Sequence, residues 1–128
     1  MADNSPTKSF GPYTPVRRVG DLYFVSGQVG VDFINKTSAT DAVSQITKAL
    51  DNLADTLATV GLALDDVVKV TVFLTDMDDA AAVNDVYTQR FNAPRPARSM
   101  VGVSELPRIV ADCSLKVEIE AIAARGEN

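Results

Sequence analysis

The residues with the clearest chemical potential are one arginine and two glutamates in the last third of the chain. Arg98 follows Pro96-Ala97 and opens a strand-like run, a rigid base from which a guanidinium can hold a carboxylate through two parallel hydrogen bonds. Most arginines sit at surfaces, so from spacing alone an exposed ion pair is the commoner account of the same residue. Glu118 and Glu120 are two apart in an alternating segment and therefore share a face. Paired carboxylates can divide acid and base duties when their surroundings differ, although a solvated sheet face is the commoner explanation of the pair alone. That face also carries Ile122 and Ala124. A face mixing glutamate with isoleucine suits cover by another subunit better than open water.

Composition narrows the remaining chemistry. The chain of 128 residues contains no histidine, which removes His-based triads, His metal ligation and His-driven RNA cleavage. Its single cysteine, Cys113, allows neither an intrachain disulfide nor a thiolate-rich metal site, and has no base partner for nucleophilic work. A net charge of −5 without a basic stripe disfavours nucleic acid as a partner. Asp76, Asp78 and Asp79 read as helix-capping residues before a metal cluster. The Gly27–Gly30 pair lacks basic flanks and a following phosphate-binding helix, and Phe24, Phe73 and Phe91 read as core. Neither metal nor cofactor is expected. Residues 1–9 are polar, unlike a signal peptide, and no apolar run is long enough to span a bilayer, so the expected location is the cytoplasm.

These side chains need a frame, and the hydrophobic periodicity suggests one domain over residues 1–128. Residues 1–10 read as a loose arm and residues 125–128 as a frayed tail. Strands are expected at 22–26 and 29–33, with a polar loop at 35–38. Val43, Ile46, Leu50, Leu53, Leu57 and Val60 form the stripe of a helix over 41–60, with Thr40 as N-cap and Gly61 at its C-terminal turn. A strand at 67–75 places Val68, Val70, Val72 and Leu74 on one face. A helix opening at Asp78 or Asp79 aligns Ala80, Val83, Tyr87 and Phe91 until Pro94 and Pro96 stop it. Strands at 98–103 and 115–124 follow, expected as sheet neighbours. The order is β-β-α-β-α-β-β, an α+β arrangement of one sheet covered by two helices.

Specific blocks punctuate this frame. Gly11-Pro12-Tyr13, Val25-Ser26-Gly27-Gln28, Val72-Phe73-Leu74-Thr75-Asp76, Ala82-Val83-Asn84, Arg95-Pro96-Ala97-Arg98-Ser99 and Val117-Glu118-Ile119-Glu120-Ala121-Ile122-Ala123 occur in an order that resembles the RidA/YjgF family across almost the whole chain. The resemblance implies a chorismate-mutase-like mixed sheet, assembled as a homotrimer with active sites in clefts between subunits. It also implies cofactor-independent deamination of 2-iminobutyrate, 2-iminopropionate and related imino or enamine acids to 2-keto acids and ammonia. By the same resemblance Arg98 would bind the substrate carboxylate, and Glu118 would position and activate water. Tyr13 and Ser26 would line the pocket, Asn84 would sit near it, and backbone groups around Gly27 and Met100 would complete the polar contacts.

The chain departs from the family pattern in places. The segment 105–116 is longer than the usual connection before the last strand, and either overhangs the cleft or is surface padding. Met100 stands where many relatives carry cysteine, and the compact stretch 91–94 leaves Arg95 as a rival carboxylate binder. Two other functions fit parts of the pattern. The cleft would serve a non-catalytic module that binds a keto acid or other small carboxylate. The older family labels, translation inhibitor and endoribonuclease, sit poorly with an acidic chain that lacks histidine.

Overall fold

A computed structural model describes residues 11–126; the arm expected at 1–10 lies outside them. Its elements are β1 (Val16–Val19), β2 (Leu22–Val29), β3 (Val31–Asp32), β4 (Thr37–Ser38), α1 (Ala42–Ala58), β5 (Val67–Leu74), α2 (Ala80–Arg90), β6 (Ala97–Gly102) and β7 (Val117–Ala124). Five strands form one mixed sheet in the order β1-β2-β7-β5-β6, while β3 and β4 make a separate short ribbon. The helices α1 and α2 bury one face of the sheet against Tyr23, Val25, Val70, Val72 and Ile119. The α+β architecture expected from periodicity is therefore the one observed. Among the described residues no helix is long and apolar enough to cross a membrane.

Sheet order corrects one expectation. β6 does not pair with β7 but runs parallel to β5, and β7 lies between β2 and β5, antiparallel to both. Parallel neighbours need a long crossover, and α2 supplies it. β7 can sit centrally because Val117, Ile119, Ala121 and Ala123 are buried on the helix-covered side.

Strand β1 escaped the sequence reading, as did β4 inside the segment read as loop. β1 joins β2 through Gly20-Asp21, with Gly20 at φ 60°, the left-handed turn that tight hairpins favour. That dipeptide between Val16–Val19 and Leu22–Val29 was a usable signal.

Helix α1 follows the expected stripe at Ile46, Leu50, Leu53 and Leu57, all fully buried, but Val43 is 42% exposed and Val60 lies beyond the last turn. Its N-cap is Asp41, not Thr40: the Asp41 carboxylate accepts from the Ser44 N–H at 2.9 Å. Gly61 adopts φ 76° after the helix, as its position suggested. The buried face also carries amides, which fasten neighbouring segments. Asn52 Nδ2 donates to the carbonyls of Val29 and Val31 at 2.9 and 3.0 Å. Gln45 accepts from the Lys116 N–H at 2.7 Å and donates to the Ala39 carbonyl at 2.8 Å. The chain after β2 passes so near α1 that a Cβ on Gly30 would overlap the backbone of Gln45.

Two further corrections concern single residues. A bulge between Val67 and Lys69 turns Val68 outward, so the buried face of β5 is Val67, Val70, Val72 and Leu74. Arg125 is anchored rather than frayed, since its guanidinium donates to the Tyr23 hydroxyl at 2.8 Å and to the Val60 carbonyl at 2.9 Å.

Among the described residues no helix covers the opposite face of the sheet. Leu22, Phe24 and Val101 are exposed there, in register with Ala124, Ile122 and Phe73, while Lys69 and Thr71 pair with Ile122 and Glu120.

Candidate functional site

A cleft of about 530 Å³ opens beside β2 and β7 and is lined by Tyr13, Pro15, Ser26, Gly27, Gln28, Val29, Phe33, Pro107, Arg108, Ile109, Glu118 and Glu120. Its size is ample for a short organic acid. Its floor arises from a bulge in β2. Val25 pairs with Ala121 and Gln28 with Ile119, which leaves Ser26 and Gly27 together opposite Glu120. A bulge of this kind bends the strand and re-aims its groups. Here it brings the Gly27 backbone against the Glu118 carboxylate, and a Cβ at Gly27 would collide with that carboxylate. Ser26 ties down the cleft's lip: its N–H donates to the Pro15 carbonyl at 2.9 Å and its hydroxyl to the Thr14 carbonyl at 2.5 Å. With its one O–H committed, Ser26 faces the cleft as an acceptor. The tether also fixes the segment that carries Tyr13.

The two glutamates have unlike surroundings. Glu118 is half-buried and Glu120 exposed. Burial first, and the neighbouring Glu120 charge second, push the Glu118 carboxyl above its ordinary value. A carboxylate raised in this way is a better proton acceptor than a fully solvated one.

Arg98 lies elsewhere. Its register opposite Val70 places it on the helix-covered side of the sheet, at the β6 edge. Its NH1 donates to Asn84 Oδ1 at 2.7 Å, and its guanidinium stacks 4.7 Å from the centroid of the Tyr87 ring. Among the described residues no carboxylate pairs with it. The exposed ion pair considered from sequence is thus not what occupies Arg98. Arg95 is differently employed, donating to the Thr88 carbonyl in α2 at 3.3 Å. Met100, two residues beyond Arg98, is half-buried and packs against the main core.

One chain therefore gathers Tyr13, Ser26, Gly27 and Glu118 in the cleft, and holds Arg98, Asn84 and Met100 together at the other side of the sheet. It does not unite Arg98 with Glu118. Sequence reasoning missed Phe33, Arg108 and Ile109 as cleft walls and Tyr87 as the support beneath Arg98. For the walls the signal was the long 105–116 segment. Leu115 packs with Val29 and Val31 in a second apolar cluster, joined by Phe33, Leu106 and Val110, and this anchoring sets Pro107 to Ile109 over the cleft. For Tyr87 the signal was its three-residue spacing from Asn84, which puts both on one helical face.

Among the described residues no group of three or more Cys, Asp or Glu is placed to hold a metal ion. Asp76 instead accepts from the Asp78 N–H at 2.9 Å, capping the turn that leads into α2.

Comparison with known proteins agrees with this frame. The family described as Endoribonuclease L-PSP matches residues 3–125. A RutC family protein of Pyrococcus horikoshii is 40% identical over 126 residues, covering 96% of this chain and 94% of that protein. The 2-iminobutanoate/2-iminopropanoate deaminase of Salmonella typhimurium is also 40% identical over 126 residues, with the same coverage of 96% and 94%. The crystal structure of Escherichia coli TdcF with bound serine superposes with a TM-score of 0.86 at 35% identity, covering 98% of each chain. The chain belongs to this family, the RidA/YjgF proteins of the sequence resemblance.

Proposed function

We propose that this protein is a cofactor-independent deaminase, hydrolysing 2-imino acids of the 2-iminobutyrate and 2-iminopropionate type to 2-keto acids and ammonium. The observation that carries the reading is the raised, half-buried Glu118 carboxylate held against Gly27 in an open cleft. Relatives at 40% identity that bear the deaminase name support it. The imine carbon is electrophilic once its nitrogen is protonated. Glu118 takes a proton from water as the water oxygen adds to that carbon, giving a carbinolamine. The proton then passes to the nitrogen. As Glu118 takes the carbinol hydroxyl proton, the C–N bond breaks and the keto group forms, and the departing ammonia takes up that proton to leave as ammonium. Arg98 holds the substrate carboxylate so that the carbon faces the water.

Since one chain separates Arg98 from Glu118, the working cleft joins two copies, Glu118 from one and Arg98 from the next. The uncovered sheet face, with Leu22, Phe24 and Val101 exposed, supports cover by another copy, and the homotrimer implied by the family resemblance would close this arrangement.

The test is keto-acid release from imine generated by a dehydratase, with semicarbazide trapping the unreacted imine. Wild type should accelerate release, and Arg98→Ala and Glu118→Ala should each abolish the acceleration. Mixed after reassembly, the two inactive variants should regain up to about a quarter of wild-type activity, the statistical share of interfaces with both side chains intact. Tight 2-ketobutyrate binding without any acceleration would instead favour a carboxylate-binding module.

A further inference from the structure

The guanidinium of Arg98 ends a long side chain at an exposed sheet edge, yet it is held on two sides. Tyr87 presents its ring face 4.7 Å away, and Asn84 takes one N–H at 2.7 Å. Both come from α2, three residues apart. Tyr87 cannot swing aside, being only 4% exposed and packed against the Phe91 ring with centroids 4.5 Å apart. The Tyr87 hydroxyl is buried with no hydrogen-bond partner among the described residues, so the ring and not the oxygen carries the contact. A face-on ring attracts the cation without using any of its five N–H groups. Asn84 uses one. The remaining N–H groups keep a fixed direction for a planar, two-pronged acceptor.

We infer that Tyr87 is a positioning residue, whose ring face, together with Asn84, fixes Arg98 for the substrate carboxylate. The inference rests on the proposed role of Arg98 and adds what makes that role geometrically sharp. A tyrosine that merely filled the core would affect melting but not carboxylate affinity.

The experiment uses the full chain with phenylalanine, then progressively fluorinated phenylalanines, at position 87. Fluorination drains the negative face of the ring while nearly preserving its volume, so the fold is kept. Imine hydrolysis gives KM and kcat, calorimetry gives the Kd of 2-ketobutyrate, and melting reports stability. Tyr87→Phe should stay within about twofold of wild type in KM and Kd, since the face is retained. Full fluorination should raise both about tenfold, with kcat changed less than about threefold and melting unmoved. In an Arg98→Ala background, where hydrolysis is already lost, the weakened Kd of 2-ketobutyrate should be flat across the series. A flat series in the wild-type background, or a slope that survives Arg98→Ala, overturns the inference. Wild type that binds 2-ketobutyrate but hydrolyses no imine defeats the deaminase reading alone, because the Kd series still reports on Tyr87. Neither binding nor hydrolysis defeats both, since Arg98 then holds no carboxylate.

Discussion

Single atoms decide the cleft. Gly27 is the only residue type that leaves the Glu118 carboxylate where it is, because a Cβ there would occupy the same space. Gly27→Ala should therefore lower kcat/KM on the order of a hundredfold, the usual cost of displacing a reacting group by about an ångström, while circular dichroism shows an intact fold. The glutamate pair makes a pH prediction. Burial and Glu120 both raise the Glu118 carboxyl. In its proposed role as general base, the ionised form thus appears only as pH climbs through that raised value, which should set the acid limb of the kcat/KM profile. Glu120→Gln removes the second cause, and the limb should move to lower pH. Stability runs the other way: the fold favours protonated Glu118, so this group's contribution is complete below the ordinary carboxylate value and is lost as pH rises through the folded one. Replacing Glu118 with Gln should flatten that decline in urea midpoints measured across the same window.

At the scale of elements, buried amides join parts that apolar packing leaves loose. Asn52 serves the carbonyls of both Val29 and Val31, at the end of the bulged strand. Asn52→Ala removes both of these buried bonds and should cost about 3 kcal/mol, read as a lower urea midpoint with an unchanged slope. Elements with one strong period were legible before the structure: α1 through its stripe, β7 through its alternation, α2 through Val83, Tyr87 and Phe91. The failures share a physical cause, which is that a local pattern does not say who the neighbour is. Strand order depends on the crossover through α2, so the position of β6 was misplaced. Val68 was misread because a bulge breaks the two-residue period. The site was half legible. Ser26, Gly27 and Glu118 stood out by type and motif, but the wall built by Phe33 and Ile109 depends on how a long segment folds over a second apolar cluster. No periodicity encodes that.

For the whole molecule the uncovered sheet face is decisive. Phe24 is 42% exposed and pairs in register with Ile122, a patch that water alone would disfavour. If copies assemble over this face as proposed, Phe24→Asp should yield monomers in sedimentation and abolish the proposed deamination, while leaving the helix-covered core folded. The separation of Arg98 from Glu118 has a genetic consequence. If every working site borrows one side chain from each of two copies, a chain lacking both residues spoils the site it shares on either side. Among randomly mixed subunits, activity then falls as the square of the intact fraction. A defective allele would poison its healthy counterpart more than proportionately, a dominance written into the geometry of one sheet.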